Sequence, residues 1–429
     1  MPRTFGVFLG LLVATGISSS AGAKTGPAAD SAAAPAAPQL RAETIRLVGH
    51  RYVADLTEGG RAELTLDPRL QQSTEGVLRS FQIPFGAAVV VSVPDGRVLA
   101  LVGQSTADPR LGASELALRA WAPAASVFKV ISATALVESG VMGSTRTCYH
   151  GGVSSIVADN LVDIPAIDRR CDTLAFGLGK SQNAIIAKLA TRHLTAGDLT
   201  RVGRSFGFEE AIPFELPIEP SHLDVPGPGN DLEFARTAAG FWHSTLSPMH
   251  GALLAATIAN RGDMPAPTLI DRAVDGAGRP IAQPVAGPRH VADAAAAREV
   301  GRMMELTTRI GTARATFHDR RGRRLLPVDV AGKTGTLSAE TDHGTIGYSW
   351  FVGYAPADHP TIAFAVVLGN NPTWRIKATY VGRHIVSQYL GTLGGSRTSR
   401  EALAQAEPAL PHANHLATRP AQPRLLASK

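Results

Sequence analysis

The sequence predicts an α/β protein of the α+β type: one antiparallel sheet made from both chain ends and flanked by helices, with a mostly helical lobe inserted between them. Three observations carry this. A hairpin pattern stands near residue 90, two further strand patterns stand near 350 and 365, and the stretch from about 140 to 260 reads as helices and loops.

The chain of 429 residues opens on an export signal, residues 1–23. Arg3 gives a positive start, Phe5 to Ile17 is largely apolar, and Ala21-Gly22-Ala23 is a small-residue cleavage site. As a helix that run reaches about 20 Å, short of a bilayer core of about 30 Å, which favours cleavage. Counting Ser18 to Ala23 into the membrane leaves an uncleaved anchor open. Either way the body is expected outside the cytoplasm, periplasmic or in the cell envelope. There Cys148 and Cys171 meet an oxidising compartment and are open to one disulfide or to two unpaired thiols. Residues 24–43, rich in Ala and Pro, form a linker. Residues 395–429, with Pro408, Pro411, Pro420 and Pro423 and no sustained apolar periodicity, form a disordered tail.

Between these ends, residues 44–394 make one catalytic-sized domain in two lobes. Phe85 to Val93 is a strand, Pro94-Asp95-Gly96 a turn, and Arg97 to Val102 the returning strand. Val127, Val130, Ala133 and Leu136 recur at helical spacing after Pro123-Ala-Ala-Ser126, which suits a helix start. Ala184 to His193, Pro248 to Asn260 and Ala294 to Leu306 are further helices, the last with Asp293 as N-cap. Val328 to Gly332 leads into a strand, Tyr348 to Tyr354 and Thr361 to Leu368 are two more, and Tyr380 to Leu390 is a closing helix.

Composition removes several function classes. With 44% hydrophobic and 18% charged residues the chain can pack a core. The net charge of +6 suggests nucleic acid or an anionic surface as partner, but the tail contributes +3 and residues 1–43 contribute +1. No basic run with interleaved aromatics remains in the body, so no nucleic-acid partner is expected. Two cysteines exclude a four-cysteine zinc site. His243 and His250, seven apart, lack a completing ligand set and read as ordinary polar residues, so neither metal nor cofactor is expected.

Three short motifs carry the chemistry: Ser126-Val127-Phe128-Lys129, Ser181-Gln182-Asn183 and Lys333-Thr334-Gly335-Thr336. Each is weak alone; their order and spacing together are specific. Residues three apart on a helix share a face, so the Lys129 amine can take the proton of the Ser126 hydroxyl. A lysine does this only when its neutral form is favoured, by burial or by a nearby positive charge such as Lys333. Ser181 is suited to relay a proton and Asn183 to bind a substrate amide. Lys333, Thr334 and Thr336 suit a terminal carboxylate, and Gly335 bares a strand edge on which an extended peptide can pair. Backbone N–H groups of Ser126 and Thr336 are candidates for an oxyanion hole.

On these motifs the chain resembles the transpeptidase domain of penicillin-binding proteins. Leu64 to Gln71, Ser247 to Gly262, Gly311-Thr312-Ala313 and Trp350 to Tyr354 extend the resemblance over nearly the whole body, from about 60 to 394. It implies a DD-peptidase/β-lactamase-like fold and a serine acyltransferase of peptidoglycan cross-linking. Ser126 would be acylated by D-Ala-D-Ala stem peptides or by β-lactams, with a glycan-polymerising enzyme as a partner in trans. A D,D-carboxypeptidase, a β-lactamase and a non-catalytic β-lactam sensor are the alternatives. No Glu-x-x-x-Asn segment precedes the third motif, and Ser-x-Asn stands where a class D lactamase would carry Ser-x-Val, which disfavours a lactamase.

Overall fold

In the computed structural model, residues 38–283, 286–371 and 374–394 are described. The expected signal (1–23), the linker up to residue 37 and the tail (395–429) lie outside them. In chain order the principal elements are helix α1 (Pro68–Ser80), strands β1 (Phe85–Ser92) and β2 (Val98–Ser105), helices α2 (Lys129–Glu138), α3 (Asn183–His193), α4 (Pro248–Ala259) and α5 (Ala294–Arg309), strands β3 (Ala331–Thr341), β4 (Gly344–Ala355) and β5 (Ile362–Asn370), and helix α6 (Ala378–Gly394).

The five strands form one antiparallel sheet in the order β3-β4-β5-β1-β2, so β5 near the chain's end pairs with β1 near its beginning. This is the predicted sheet. The apolar run of β1 has no polar face because both faces are covered. Ala88 and Val90 join Leu70, Leu78, Val381 and Ile385 of α1 and α6, whereas Ala87, Val89 and Val91 join Met249 and Leu253 of α4. The helix signals hold as well. Ser247 caps α4 by accepting from the His250 N–H, with Pro248 at the first position, and Asp293 caps α5 through the N–H groups of Ala295 and Ala296.

The inserted lobe runs between β2 and β3. At its centre is α2, buried at every position from Lys129 to Leu136, as a helix surrounded on all sides must be. The strands Arg146–Tyr149 and Arg170–Thr173 pair within the lobe, with Cys148 directly opposite Cys171, and the two cysteines are joined in a disulfide.

Two features depart from expectation. The fold takes in residues from the expected linker: Leu40 is buried, bridges to Leu56, and its N–H donates to the Glu215 carbonyl. The segment before α1 also folds, as the strands Arg46–Val48, Arg51–Asp55 and Arg61–Leu64, joined by Ile270–Val274 from far along the chain into a four-stranded sheet. Among the described residues no helix is long and apolar enough to cross a membrane.

Candidate active site

The segment Ala125–Phe128 is a 3-10 turn, and α2 begins only at Lys129. In a 3-10 turn side chains three apart eclipse one another, which aligns Ser126 with Lys129 more closely than an α-helix would. The Lys129 Nζ lies 2.6 Å from the Ser126 Oγ. Ala125 enters the turn at φ +50°, a conformation that costs a non-glycine residue about 1–3 kcal/mol and is held by the packing around it. Part of that packing is Gly335. A Cβ there would come within 3.0 Å of the Trp350 Cβ and 3.3 Å of both the Ala125 Cβ and a Val127 methyl, so the bare backbone of β3 is what lets the Ser126 turn lie against the sheet. The Trp350 indole N–H ties the same turn down by donating to the Pro123 carbonyl at 2.9 Å.

Lys129 is completely buried. Besides Ser126, its Nζ meets the Asn183 Oδ1 at 2.6 Å and the Ala239 carbonyl at 2.7 Å. Among the described residues no carboxylate bonds to it. Burial, and then the charge of Lys333, hold its amine well below the ordinary lysine range. A neutral amine has two N–H bonds and one lone pair. The amide oxygen and the carbonyl can only accept, so they take both N–H bonds, and the lone pair is left facing the Ser126 hydroxyl.

The middle motif closes the far side. Ser181 sits at φ +56° just ahead of α3, and Asn183 is the first residue of that helix. Lys333, also fully buried, donates from Nζ to the Ser181 Oγ and the Thr334 carbonyl, each at 2.9 Å, and burial pushes its amine down to about 7. The residues thus form two hydrogen-bonded groups, Ser126–Lys129–Asn183 and Ser181–Lys333, coupled through the charge of Lys333 acting on Lys129. Thr334, Gly335 and Thr336 follow along β3, the edge strand; Thr336 is exposed, and the Thr334 hydroxyl lies 2.6 Å from that of Thr312.

Asn183 is engaged within the protein at both ends of its side chain, Oδ1 by Lys129 and Nδ2 by donating to the Val153 carbonyl at 2.9 Å, which leaves one N–H and one oxygen lone pair for the substrate amide it is expected to bind. Two contributors carry no side-chain signature in the sequence, the carbonyls of Ala239 and Val153. Thr312 is a third, and its Gly-Thr-Ala context is the signal that marks it. The two histidines are apart from the site. His250 is buried, its Nε2 lies 2.7 Å from the Phe206 carbonyl, and burial lowers it to about 4; His243 pairs with Glu233. Among the described residues no group of His, Cys, Asp or Glu is arranged to hold a metal.

Residues 86–387 match the penicillin binding protein transpeptidase domain family. The peptidoglycan D,D-transpeptidase PbpA of Mycobacterium tuberculosis is 26% identical over 378 residues, covering 80% of this chain and 74% of that protein. Penicillin-binding protein 3 of Bacillus subtilis is 25% identical over 343 residues, 69% of this chain and 46% of its own length. Among solved structures, the crystal structure of the M. tuberculosis PBPA superposes with a TM-score of 0.64 at 24% identity, covering 78% of this chain and 83% of that one. The D,D-transpeptidase domain of a peptidoglycan glycosyltransferase from Eggerthella lenta gives 0.62, again at 24% identity, with 78% and 84% covered. At these identities the superpositions speak for the fold, and the family match over most of the chain speaks for kinship: the chain belongs to the penicillin-binding protein transpeptidase family.

Proposed function

We propose that Ser126 is the nucleophile of a serine D,D-transpeptidase that joins D-Ala-D-Ala stem peptides of peptidoglycan, and that β-lactams acylate the same hydroxyl. One observation carries the assignment: the Lys129 Nζ lies 2.6 Å from the Ser126 Oγ while its two other partners, the Asn183 Oδ1 and the Ala239 carbonyl, are pure acceptors, so in its neutral form the lone pair is aimed at Ser126. Lys129 takes the hydroxyl proton as Oγ attacks the carbonyl carbon of the penultimate D-Ala. The N–H groups of Ser126 and Thr336 hold the developing oxyanion. The C–N bond breaks, and the proton held on Lys129 passes through Ser181, which Lys333 orients, to the departing D-Ala nitrogen, leaving Lys129 neutral again. The amine of an acceptor stem then attacks the acyl-enzyme and gives up a proton to Lys129, and that proton returns to the Ser126 Oγ as the ester bond breaks.

Lys333, Thr334 and Thr336 hold the terminal carboxylate of the donor peptide, or the equivalent group of a β-lactam. Structures of the M. tuberculosis PBPA as imipenem and ceftriaxone acyl-enzyme complexes support the β-lactam half of the reading. The work belongs in the cell envelope, a location supported by the Cys148–Cys171 disulfide.

A labelled-penicillin assay tests the assignment. Stable label is expected on the wild-type chain and none on Ser126→Ala; label that persists in Ser126→Ala overturns it. Incubation with a stem pentapeptide and an acceptor amine, with and without a glycan-polymerising enzyme in trans, then reads the reaction. Cross-linked product supports transpeptidation, free D-Ala without it a carboxypeptidase, and stable label with no peptide turnover a sensor. Rapid loss of label indicates a lactamase.

A further inference from the structure

The neutral Lys129 is a base toward Ser126 only while Asn183 presents its oxygen to it. An asparagine amide is nearly the same shape at both ends, and turning it over would point Nδ2 at the lysine. Nδ2 would then donate into the lone pair that Ser126 needs. The acceptor that fixes the oxygen toward Lys129 is the Val153 carbonyl on the opposite side. Val153 belongs to a strap, residues 150–169, whose two ends are joined by the Cys148–Cys171 disulfide.

We propose that this disulfide-closed strap is a positioning element for the catalytic base, presenting the Val153 carbonyl that sets the orientation of the Asn183 amide. The proposal rests on Lys129 acting as base to Ser126. Several anchors converge on it. At Gly152 the strap backbone lies against the first turn of α3, so close that a Cβ would come within 2.5 Å of the Ala184 Cβ. Arg236 donates from Nε and Nη2 to the Ile156 carbonyl at 3.1 and 2.8 Å. Lys188, on the same helix as Asn183, donates to the Cys148 carbonyl and to Asp168, at 2.9 and 2.8 Å. Beside the disulfide the Tyr149 hydroxyl donates to Asp172 at 2.8 Å.

The strap has one apolar root, Ile156, buried in the main core with Leu161 packed beside it; Val153, Val157, Val162 and Ile167 are exposed, so around Val153 polar anchors and the cross-link set its shape. Released, it admits water beside Lys129 and frees the amide to turn. Less burial moves the lysine back toward its ordinary range, so a larger share is protonated at neutral pH. Around Lys129 the nearby cation is Lys333. On the helices packed against α2, Lys188 pairs with Asp163 and Asp168, Arg192 with Asp163, Arg201 with Glu138 and Asp198, and Glu299 with Arg302; the same helices also carry His193, Arg204, Arg298, Arg309 and Glu305, whose carboxyl is raised by burial.

The test is the pH profile of second-order acylation by a fluorescent penicillin, run on the full chain with thermal melts alongside. Wild type is compared oxidised and after phosphine reduction, together with the Cys148→Ser/Cys171→Ser double variant and with Arg236→Gln, which keeps the disulfide and removes the Ile156 anchor. At neutral pH acylation is expected to slow about tenfold in the reduced and cysteine-free proteins and about threefold in Arg236→Gln. In each the acid limb moves to higher pH, and the ratio to wild type closes as pH rises. An unchanged profile, or a fall equal at every pH that follows the loss of folded protein, overturns the proposal. If the cysteine variant fails to fold, Arg236→Gln, whose side chain is partly exposed, decides alone by the same criteria. Ser126→Ala run in parallel separates the two readings. Label persisting there overturns the serine assignment, whereas label lost there with superimposed profiles overturns only the role of the strap.

Discussion

Two lysines lie fully buried on neighbouring helices of the lobe, and their surroundings are opposite. Lys188 on α3 meets Asp168 at 2.8 Å and Asp163 at 3.3 Å. Lys129 on α2 meets a hydroxyl, an amide oxygen and a peptide carbonyl, with a second lysine as its nearest charge. Burial disfavours an ammonium unless a counter-charge repays the loss of water. With carboxylates supplied, a buried lysine is a structural ion pair. Without them its amine is held well below the ordinary lysine range, which suits it to the base role proposed for it. One side chain type therefore serves as a staple on one helix and suits a reagent on its neighbour, and the difference is set by two aspartates.

Removing each lysine should break the comparison in different measurements. Lys129→Met is expected to slow acylation by a factor of about 10² to 10⁴, because the proton acceptor is gone. The melt should move less, since the cost is two buried acceptors left without donors, about 1–3 kcal/mol. An acylation rate near wild type would strip Lys129 of its role. Lys188→Met should appear first in the melt, at a cost of about 3 kcal/mol, because the buried Asp168 loses its lysine counter-charge and keeps only the hydrogen bonds from His150 and the Ile164 N–H. The pH dependence follows. Burial alone would raise the Asp168 carboxyl, but hydrogen bonds from Lys188, His150 and the Ile164 N–H hold it well below the ordinary range. A lowered carboxyl stabilises the fold above its unfolded value, about 3.9, and that stability is lost as pH falls through the folded value. Without Lys188 the loss on acidification should begin at a higher pH, which a series of melts would show.

The two lysines also mark how much of the molecule is legible in its sequence. The sheet is legible because β1 and β5 are unbroken apolar runs, and α4 and α5 because their caps are spelled out by Ser247, Pro248 and Asp293. The strands Arg46–Val48, Arg51–Asp55 and Arg61–Leu64 are not. They are short and rich in charge, and their stability comes from partners distant in sequence, such as Arg51 with Asp271 and Arg272 with Glu63. In the site, Ser126, Lys129, Ser181, Asn183 and Lys333 stand in recognisable motifs. The carbonyls of Ala239 and Val153 do not, since any residue supplies a carbonyl and only the tertiary path of the chain decides where it points. The contrast between Lys129 and Lys188 is hidden for the same reason. Asp168 lies twenty residues from Lys188, with nothing local to link them.

The base has its own neighbour, and Lys333→Gln sharpens the comparison there. In wild type burial, and then the charge of Lys333, lower the Lys129 amine, while burial pushes the Lys333 amine itself down to about 7. The acylation rate should therefore fall on the acid side as Lys129 gains a proton and on the alkaline side as Lys333 loses one, with apparent values that belong to the pair. In Lys333→Gln the acid limb should move to higher pH, because a cation is removed from beside the base, and the alkaline limb should vanish. The rate near neutrality should drop about tenfold through the lost carboxylate contact. A variant that keeps the alkaline limb would assign it to another group.

Thr312→Val probes the exposed end of the same site, where burial is not available to magnify an interaction. The bond between the Thr312 and Thr334 hydroxyls is short, 2.6 Å, but it is neutral and open to solvent. Its loss should cost about 0.5–1.5 kcal/mol, or roughly twofold to tenfold. That loss belongs in the concentration of penicillin needed for half-maximal acylation and not in the limiting rate, since Thr312 is remote from the Ser126 proton. A double-mutant cycle with Thr334→Val decides whether the two threonines hold the carboxylate as a unit. If they do, the second substitution adds little to the first; if the effects simply add, each acts alone. A limiting rate that falls while the half-saturating concentration stays fixed would instead place Thr312 with the buried lysines, in the machinery that moves the proton.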